Sequence, residues 1–308
     1  MEALPGDETE HPTELEIADQ VDALSAGTAY AELGEHTVTL ASGEDARGWL
    51  NDLVTTDVAG LERGASRPSL LLTPTGRIRA AFHVLCLGDR DFGLVQRSDQ
   101  PQAISALLEP YVLSSDVTLS PSRFRVFAMP GGGEAPAVFG NGSRPSVLGG
   151  GFDLLFGLGA DDVAADARAA LTDAGFLRAD LGGVERLRIR RGQPRFGVDL
   201  DTASLPAEAG LDGPPVTDRT KGCFLGQEAV AKIANLGHPR VRVLTFLADA
   251  PVAVGEEVLT RDAEAVGSVT SADGGIGLLR LRWDAADDGL RSGSGAVLRA
   301  RPADPEPV

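Results

Sequence analysis

The sequence predicts an α+β fold: a long region in which strands and helices alternate, followed by a small all-β module. Three observations carry this. Up to about residue 236, period-2 strand patterns and 3.6-period helix patterns succeed each other. From about residue 240 only short strands remain, separated by glycine turns at Asp273-Gly274-Gly275 and Gly293-Ser294-Gly295, which is the texture of a barrel or sandwich. The 308 residues are 43% hydrophobic, enough for a real core in two or three domains.

In order, residues 1 to about 20 carry Glu2, Asp7, Glu8, Glu10, Glu14 and Glu16 and read as a disordered, solubilising leader. Thr37-Val38-Thr39-Leu40 alternates as a strand. Ser42 with Asp45 three residues on is close to a capping box, so a helix is expected from Ser42, with Ala46, Trp49, Leu50 and Leu53 on its buried face. Segments 68–72 and 78–87 are strands joined by the turn Thr73-Pro74-Thr75-Gly76. Phe92-Gly93-Leu94-Val95 is a further strand, and 101–108 a short helix ended by Pro110. A strand at 124–129 follows, with loops at Gly131-Gly132-Gly133 and Gly149-Gly150-Gly151. Residues 161–174 form a helix with Val163, Ala167, Ala170 and Leu171 on one face and Gly175 as its cap, and 183–191 a shorter one stopped at Gly192. Pro206, Pro214 and Pro215 mark 198–220 as an extended loop. Residues 227–236 form a three-turn helix with Ala229, Val230 and Ile233 as a buried stripe, stopped by Gly237 before His238-Pro239. Short strands follow at 241–246, 257–259, 265–270, 276–281 and 296–299.

Composition excludes several function classes. The net charge of −17 disfavours sequence-independent contact with nucleic-acid phosphates or anionic membranes. No apolar run approaches the ~18–20 residues needed to span a bilayer, and the N-terminus lacks a basic stretch followed by an apolar one. The two cysteines, Cys86 and Cys223, do not make a disulfide scaffold, so a reducing cytoplasm is the expected compartment. No metal site is expected, because there is no CxxC and His11, His36, His83 and His238 are scattered. Gly140-Asn141-Gly142 lacks the third glycine of a dinucleotide fingerprint, and neither a Walker loop nor a Gly-x-Ser-x-Gly elbow occurs. Against the acidic background, Arg186, Arg188, Arg190, Arg191 and Arg195 cluster within ten residues.

The most informative stretch is the octet Lys221-Gly222-Cys223-Phe224-Leu225-Gly226-Gln227-Glu228. It sets a thiol just before a helix N-terminus, where unpaired backbone N–H groups favour negative charge, and a lysine two residues from the thiol. Glu228 in the first turn acts the other way. A free cysteine is often only a small buried hydrophobe, which is the reading adopted for Cys86 inside an apolar strand. Lys221 suits an anion or a polar heterocycle. Arg188 and Arg195 are candidates for pairing with carboxylates, although an arginine cluster is more often a solvated helix face.

The octet resembles the signature of the YgfZ branch of the folate-binding T-protein family, the aminomethyltransferase-like proteins related to the glycine cleavage system. Gly192-Gln193-Pro194-Arg195-Phe196-Gly197-Val198-Asp199 and Leu205-Pro206-Ala207-Glu208-Ala209-Gly210 resemble the family's approach to it, Asn235-Leu236-Gly237-His238-Pro239 its exit, and Leu72-Thr73-Pro74-Thr75-Gly76-Arg77-Ile78 its first-domain turn. The resemblance runs from about Leu33 to Leu281. It implies a three-lobed arrangement: a leader at 1–20, two interleaved mixed sub-domains at about 21–120 and 121–236 forming a folate channel, and a C-terminal β-barrel at 237–308. It implies tetrahydrofolate as cofactor, contacts from Lys221, Gly222, Phe224, Gln227, Arg188 and Arg195, and Cys223 as the reactive thiol. The implied function is support of iron–sulfur cluster assembly or repair in client enzymes, tRNA-thiolating ones included, by a monomer that touches neither nucleic acid nor membrane. One departure counts against glycine-cleavage chemistry: Ala81 stands where T-proteins carry an aspartate, and Arg190 or Arg191 where they carry a glutamate. A folate-dependent aminomethyl transferase and a non-catalytic folate-binding adaptor are the alternatives.

Overall fold

The structure, a computed structural model, describes residues 14–129, 143–145, 152–157, 161–286 and 288–303. The glycine loops expected at 131–133 and 149–151 lie outside the described residues. Helix α1 (Glu14–Ala26) leads into a long strand β1 (Ala29–Ser42), then α2 (Ala46–Leu53), β2 (Ser66–Leu72), β3 (Ile78–Cys86), β4 (Asp91–Arg97) and α3 (Ile104–Leu108). β5 (Thr118–Met129), β6 (Ser143–Pro145), β7 (Phe152–Gly157), α4 (Asp161–Asp173), β8 (Leu177–Ala179), α5 (Leu181–Arg190) and α6 (Gln227–Leu236) complete the mixed region. The barrel strands are β9 (Val241–Ala248), β10 (Glu257–Leu259), β11 (Ala265–Asp273), β12 (Ile276–Arg282), β13 (Leu290–Ser292) and β14 (Val297–Pro302).

The mixed region is built on one sheet of order β2-β3-β4-β1-β5-β7-β6, with β8 added to β1. β1 is its spine. It pairs antiparallel with β4 on one side and β5 on the other, and its first residues pair parallel with β8. The two sub-domains therefore share a continuous ladder, and the expected division at 120/121 falls inside β5. One face of the first half buries Leu71, Ala80, Phe82, Val84, Phe92 and Leu94 under Ala46 and Leu50 of α2 and Ile104, Leu107 and Leu108 of α3. The opposite face carries Leu70 and Ala81 into a core shared with Ile189 of α5, Phe196, Phe224, Val230 of α6, and Val243 and Leu278 of the barrel. The site is built where these elements meet.

Several expectations are corrected. The leader does not extend to residue 20: Glu14–Ala26 is a helix whose Val21 and Leu24 are buried against β1, β5 and α5. A run of acidic residues hid the two apolar positions that anchor it. The first internal helix starts at Ala46 rather than Ser42, because Ser42 is still paired with Asp91 and Thr118 as the last residue of β1. The Asp45 carboxylate accepts the Asp116 N–H at 2.8 Å instead of capping the helix. The short helix expected at 101–108 ends at Leu108 but starts only at Ile104, and Pro110 lies in the 3-10 turn Glu109–Tyr111 that follows it. The barrel also contains β13, too short to show an alternation. It closes in the order β10-β11-β12-β9-β14-β13.

Candidate functional site

The octet is presented by a loop pinned to the first sheet. Thr55, buried just after α2, donates its hydroxyl to the Val216 carbonyl at 2.7 Å and accepts the Leu70 N–H at 2.9 Å. Thr56 donates to the Pro215 carbonyl at 3.2 Å, and Asp218 N–H donates to the Thr55 carbonyl at 3.0 Å. Asp218 then accepts both the N–H and the hydroxyl of Thr220, at 2.7 and 2.6 Å, turning the chain into Lys221. At the far end Gly226 sits at φ +84, and a Cβ there would fall 2.6 Å from the Thr73 carbonyl. A Cβ at Gly76 would in turn fall 2.8 Å from the Ala229 methyl of α6, so glycine on both sides lets the Thr73–Gly76 turn and the start of α6 approach closely.

Within this frame Cys223 is exposed, whereas Cys86 is buried. Lys221 is half-buried; its Nζ donates to the Asn51 carbonyl, one of the last carbonyls of α2, and lies 5.2 Å from the centre of the Phe224 ring. Burial pushes the lysine down to about 8, against the opposing pull of Asp52, Asp57, Asp218 and Cys223. Lys221 is therefore still mostly the ammonium in neutral solution, and about half of it is the free amine near pH 8, well before an ordinary lysine loses its proton. The chain contains only two lysines, Lys221 and Lys232, among 28 basic residues. That scarcity is a sequence signal for Lys221 that motif reading passes over. Gly222 is exposed at φ +110 and lets the loop turn. Gln227 opens α6, its N–H bonded to the Phe224 carbonyl at 3.1 Å. Phe224 packs into the shared core, with Lys221 over its ring. Its sequence assignment as a ligand contact thus meets a side chain with little free surface.

The arginines divide. Arg188 is 1% exposed, and all five of its N–H donors are engaged. Nε and Nη2 bond Glu185 at 3.0 and 2.7 Å, Nη1 bonds the Gln193 carbonyl at 2.6 Å and Asp199 at 2.8 Å, and Nη2 also bonds Ser271 at 2.6 Å. This corrects its assignment as a folate contact, since no donor remains; it locks α5 to the barrel strand β11. Asp199 completes the lock by accepting from Thr270 and Ser271 at 2.6 and 2.7 Å.

Arg195 belongs to a second cluster. Its Nη1 bonds Glu185 at 3.0 Å while its Nε is buried without a hydrogen-bond partner among the described residues. Burial pulls its guanidinium below the ordinary arginine value, with Arg97 and Arg188 acting in the same direction and Glu185 opposing. Burial raises Glu185, but hydrogen bonding and charge from Arg188, then Arg195 and Arg97, hold it below the usual carboxylate range. Asp99 behaves alike under Arg97. His36 faces the same group: it pairs across the ladder with Arg97, is 3% exposed, and among the described residues neither ring nitrogen has a partner in hydrogen-bonding geometry. Burial first, and Arg97 second, depress it to about 4. Register puts His36, Val38, Val95, Arg97, His83 and Ala81 on one face of the sheet, the face that carries the shared core. Ala81 itself is clamped by Gln100, which accepts from its N–H at 3.1 Å and donates to its carbonyl at 2.6 Å. Sequence reading missed His36, Arg97, Asp99 and Glu185: strand register brings His36 to Arg97, whereas Asp99 joins through Arg97 two residues away and Glu185 through Arg188 one helical turn on.

Among known proteins, this architecture is that of a glycine-cleavage aminomethyltransferase. The structure is similar to the aminomethyltransferase T of the glycine cleavage system from Bartonella henselae, with a TM-score of 0.77 over 95% of this chain and 90% of that one at 18% identity. Residues 240–307 match the family described as CAF17, C-terminal beta-barrel domain. The human mitochondrial iron-sulfur cluster assembly factor IBA57 is 32% identical over 140 residues, 42% of this chain and 39% of that protein. The aminomethyltransferase of Symbiobacterium thermophilum is 31% identical over 208 residues, 60% of this chain and 51% of that protein. The chain thus spans about two fifths to one half of the length of these two relatives.

Proposed function

We propose that this chain is a tetrahydrofolate-binding factor of the YgfZ type that supports assembly or repair of iron–sulfur clusters in client enzymes, tRNA-thiolating ones among them, with Cys223 as its reactive thiol. The observation that carries this is the exposed Cys223 held two residues from a half-buried, easily deprotonated Lys221 on a pinned loop. The human relative's name supports the iron–sulfur direction. With Cys86 and Cys223 both free thiols, a reducing cytoplasm suits the site.

The residues fit a folate. The His36 ring nitrogens and Arg195 Nε are buried and lack hydrogen-bond partners among the described residues, next to the apolar surface of Leu70, Ala81 and Phe196. A flat heterocycle with both donors and acceptors satisfies such a set. His36, neutral at pH 7, offers one donor and one acceptor; Arg195 adds a fixed positive charge, and Arg97 and Glu185 hold it in place. When bound, tetrahydrofolate supplies a carrier for one-carbon units. Lys221 holds or releases a proton beside Cys223, whose exposed sulfur is the candidate nucleophile.

The test is a tetrahydrofolate titration alongside rescue of iron–sulfur enzyme activity in cells lacking the endogenous factor. Cys223→Ser should bind folate normally and fail to rescue while melting as wild type. Full rescue by a folded Cys223→Ser protein removes the thiol from the mechanism. The Symbiobacterium relative favours a second reading, aminomethyl transfer. Ala81 has no carboxylate to offer that reaction, and detectable transfer from a lipoyl carrier to tetrahydrofolate would revive it. A non-catalytic adaptor is the outcome if folate-site and surface variants fail alike.

A further inference from the structure

The barrel carries a basic outer face on an acidic chain. Along β14, Leu298 is buried while Val297, Arg299 and Arg301 alternate to the other side. Directly opposite these three lie Arg291 of β13 and Leu247 and Thr245 of β9. Opposed residues share a face with Cβ atoms about 5 Å apart, so the strip is continuous.

Two clefts flank β14. One of about 560 Å³ is lined by Arg261, Arg291 and Arg299. The other, about 320 Å³, runs along the end of α5 and is lined by Arg190, Arg191 and Arg301, with Leu247 and Ile276 as apolar wall. The carboxylates bordering this face are engaged: Asp288 pairs with Arg261 at 3.4 Å, Asp273 with Arg190 at 3.5 Å, and Asp249, just beyond β9, accepts the Val297 N–H at 2.8 Å. Among the described residues no carboxylate pairs with Arg299 or Arg301, and Leu247 is 39% exposed beside them.

We propose that this face docks a short acidic peptide segment of a partner protein, with Arg299 and Arg301 taking carboxylates and Leu247 with Ile276 taking an apolar side chain between them. Charge complementarity selects an acidic partner. The net charge of −17 selects a short one, since a nucleic acid or an anionic vesicle reaches past the strip and meets the repulsive remainder of the molecule. The apolar wall gives a peptide a contact that phosphates do not use. Bidentate pairing by arginine fixes carboxylates in orientation as well as place.

The experiment is fluorescence anisotropy with the full chain and a fluorescein-labelled Glu-Leu-Glu-Ser repeat peptide at low ionic strength. Saturable binding is expected, weakening with salt and falling about tenfold or more in Arg299→Glu/Arg301→Glu. Arg299→Gln/Arg301→Gln should lose affinity in the same direction with an unchanged melting temperature, and Arg63→Glu, exposed and remote in sequence, should bind as wild type. No saturable binding up to about 1 mM, or equal affinity in the reversed-charge variant, overturns the proposal. Tighter binding of single-stranded RNA or of anionic phospholipid vesicles than of the peptide overturns the choice of occupant.

Discussion

Replacing Arg188 with methionine should destabilise the fold by about 3 kcal/mol while leaving folate affinity nearly unchanged. The magnitude follows from what the side chain leaves behind. Arg188 faces Asp199, whose side chain is 0% exposed, and Glu185, which is 36% exposed. Removing one member of a buried pair costs roughly 3–5 kcal/mol, because a charge stays buried without its partner. Asp199 keeps the Arg195 N–H at 2.9 Å and the hydroxyls of Thr270 and Ser271, and Glu185 keeps Arg195, so the low end of that range applies. Methionine retains the apolar stem, which confines the loss to the charge and its hydrogen bonds. Urea unfolding monitored by tryptophan fluorescence and far-UV circular dichroism measures it. Arg188→Met with Asp199→Leu should lose less than the sum of the single variants, since each removes the other's liability. A loss below about 1 kcal/mol in Arg188→Met, or a tenfold loss of folate affinity without loss of stability, would refute the reading of Arg188 as a lock between α5 and the barrel.

Alkylation of the native protein should label Cys223 well before Cys86, read by peptide mass spectrometry; equal rates contradict the exposure difference. After reductive methylation, NMR should show Lys221 titrating near 8 rather than 10.5. Its folded value lies below the unfolded one, so its burial penalty stands in full below pH 8 and is relieved as pH rises to 10.5; Lys221→Met should flatten stability over that window. His36 has the same sign at lower pH. With a folded value of about 4 against 6.5, its contribution is lost as pH falls from 6.5 through 4, and His36→Phe should flatten that acid limb in pH-jump unfolding. Gly226→Ala should lose at least about 2 kcal/mol, because it combines a positive φ with a 2.6 Å approach to the Thr73 carbonyl; an unchanged melting temperature would show that the turn yields.

Much of this was legible in the residues. α6 runs over Gln227–Leu236 as its apolar stripe and Gly237 demand, and the barrel's glycine turns mark it off from the mixed region. Local patterns failed where distant partners decide. Ser42 looks like a helix cap until Asp91 and Thr118 claim it for the ladder. Glu14–Ala26 looks too acidic to order until Val21 and Leu24 find β1 and α5. The octet singled out Cys223 and Lys221 as candidates, but it did not show that Phe224 and Gly226 serve packing. The cluster of His36, Arg97, Asp99, Glu185 and Arg195 was invisible, because its members come from β1, β4 and the α5 region, and the register of His36 with Arg97 and the packing of α5 bring them together.

The spine strand has a consequence for biosynthesis. β1 is complete at Ser42, yet its parallel neighbour β8 ends at Ala179. At 5–20 residues per second, the ribosome delivers that last partner on the order of ten seconds after the strand itself. For that interval the nascent chain holds out Ala29, Tyr30 and Ala31 with no ladder on the β8 side. Antiparallel pairing with β4 comes first, so the second half of the strand is covered while its beginning waits. Chaperone engagement and misassembly during synthesis should therefore concentrate on residues 29–31, and ribosome-bound chains stopped before residue 177 should expose that edge to proteases and holdases.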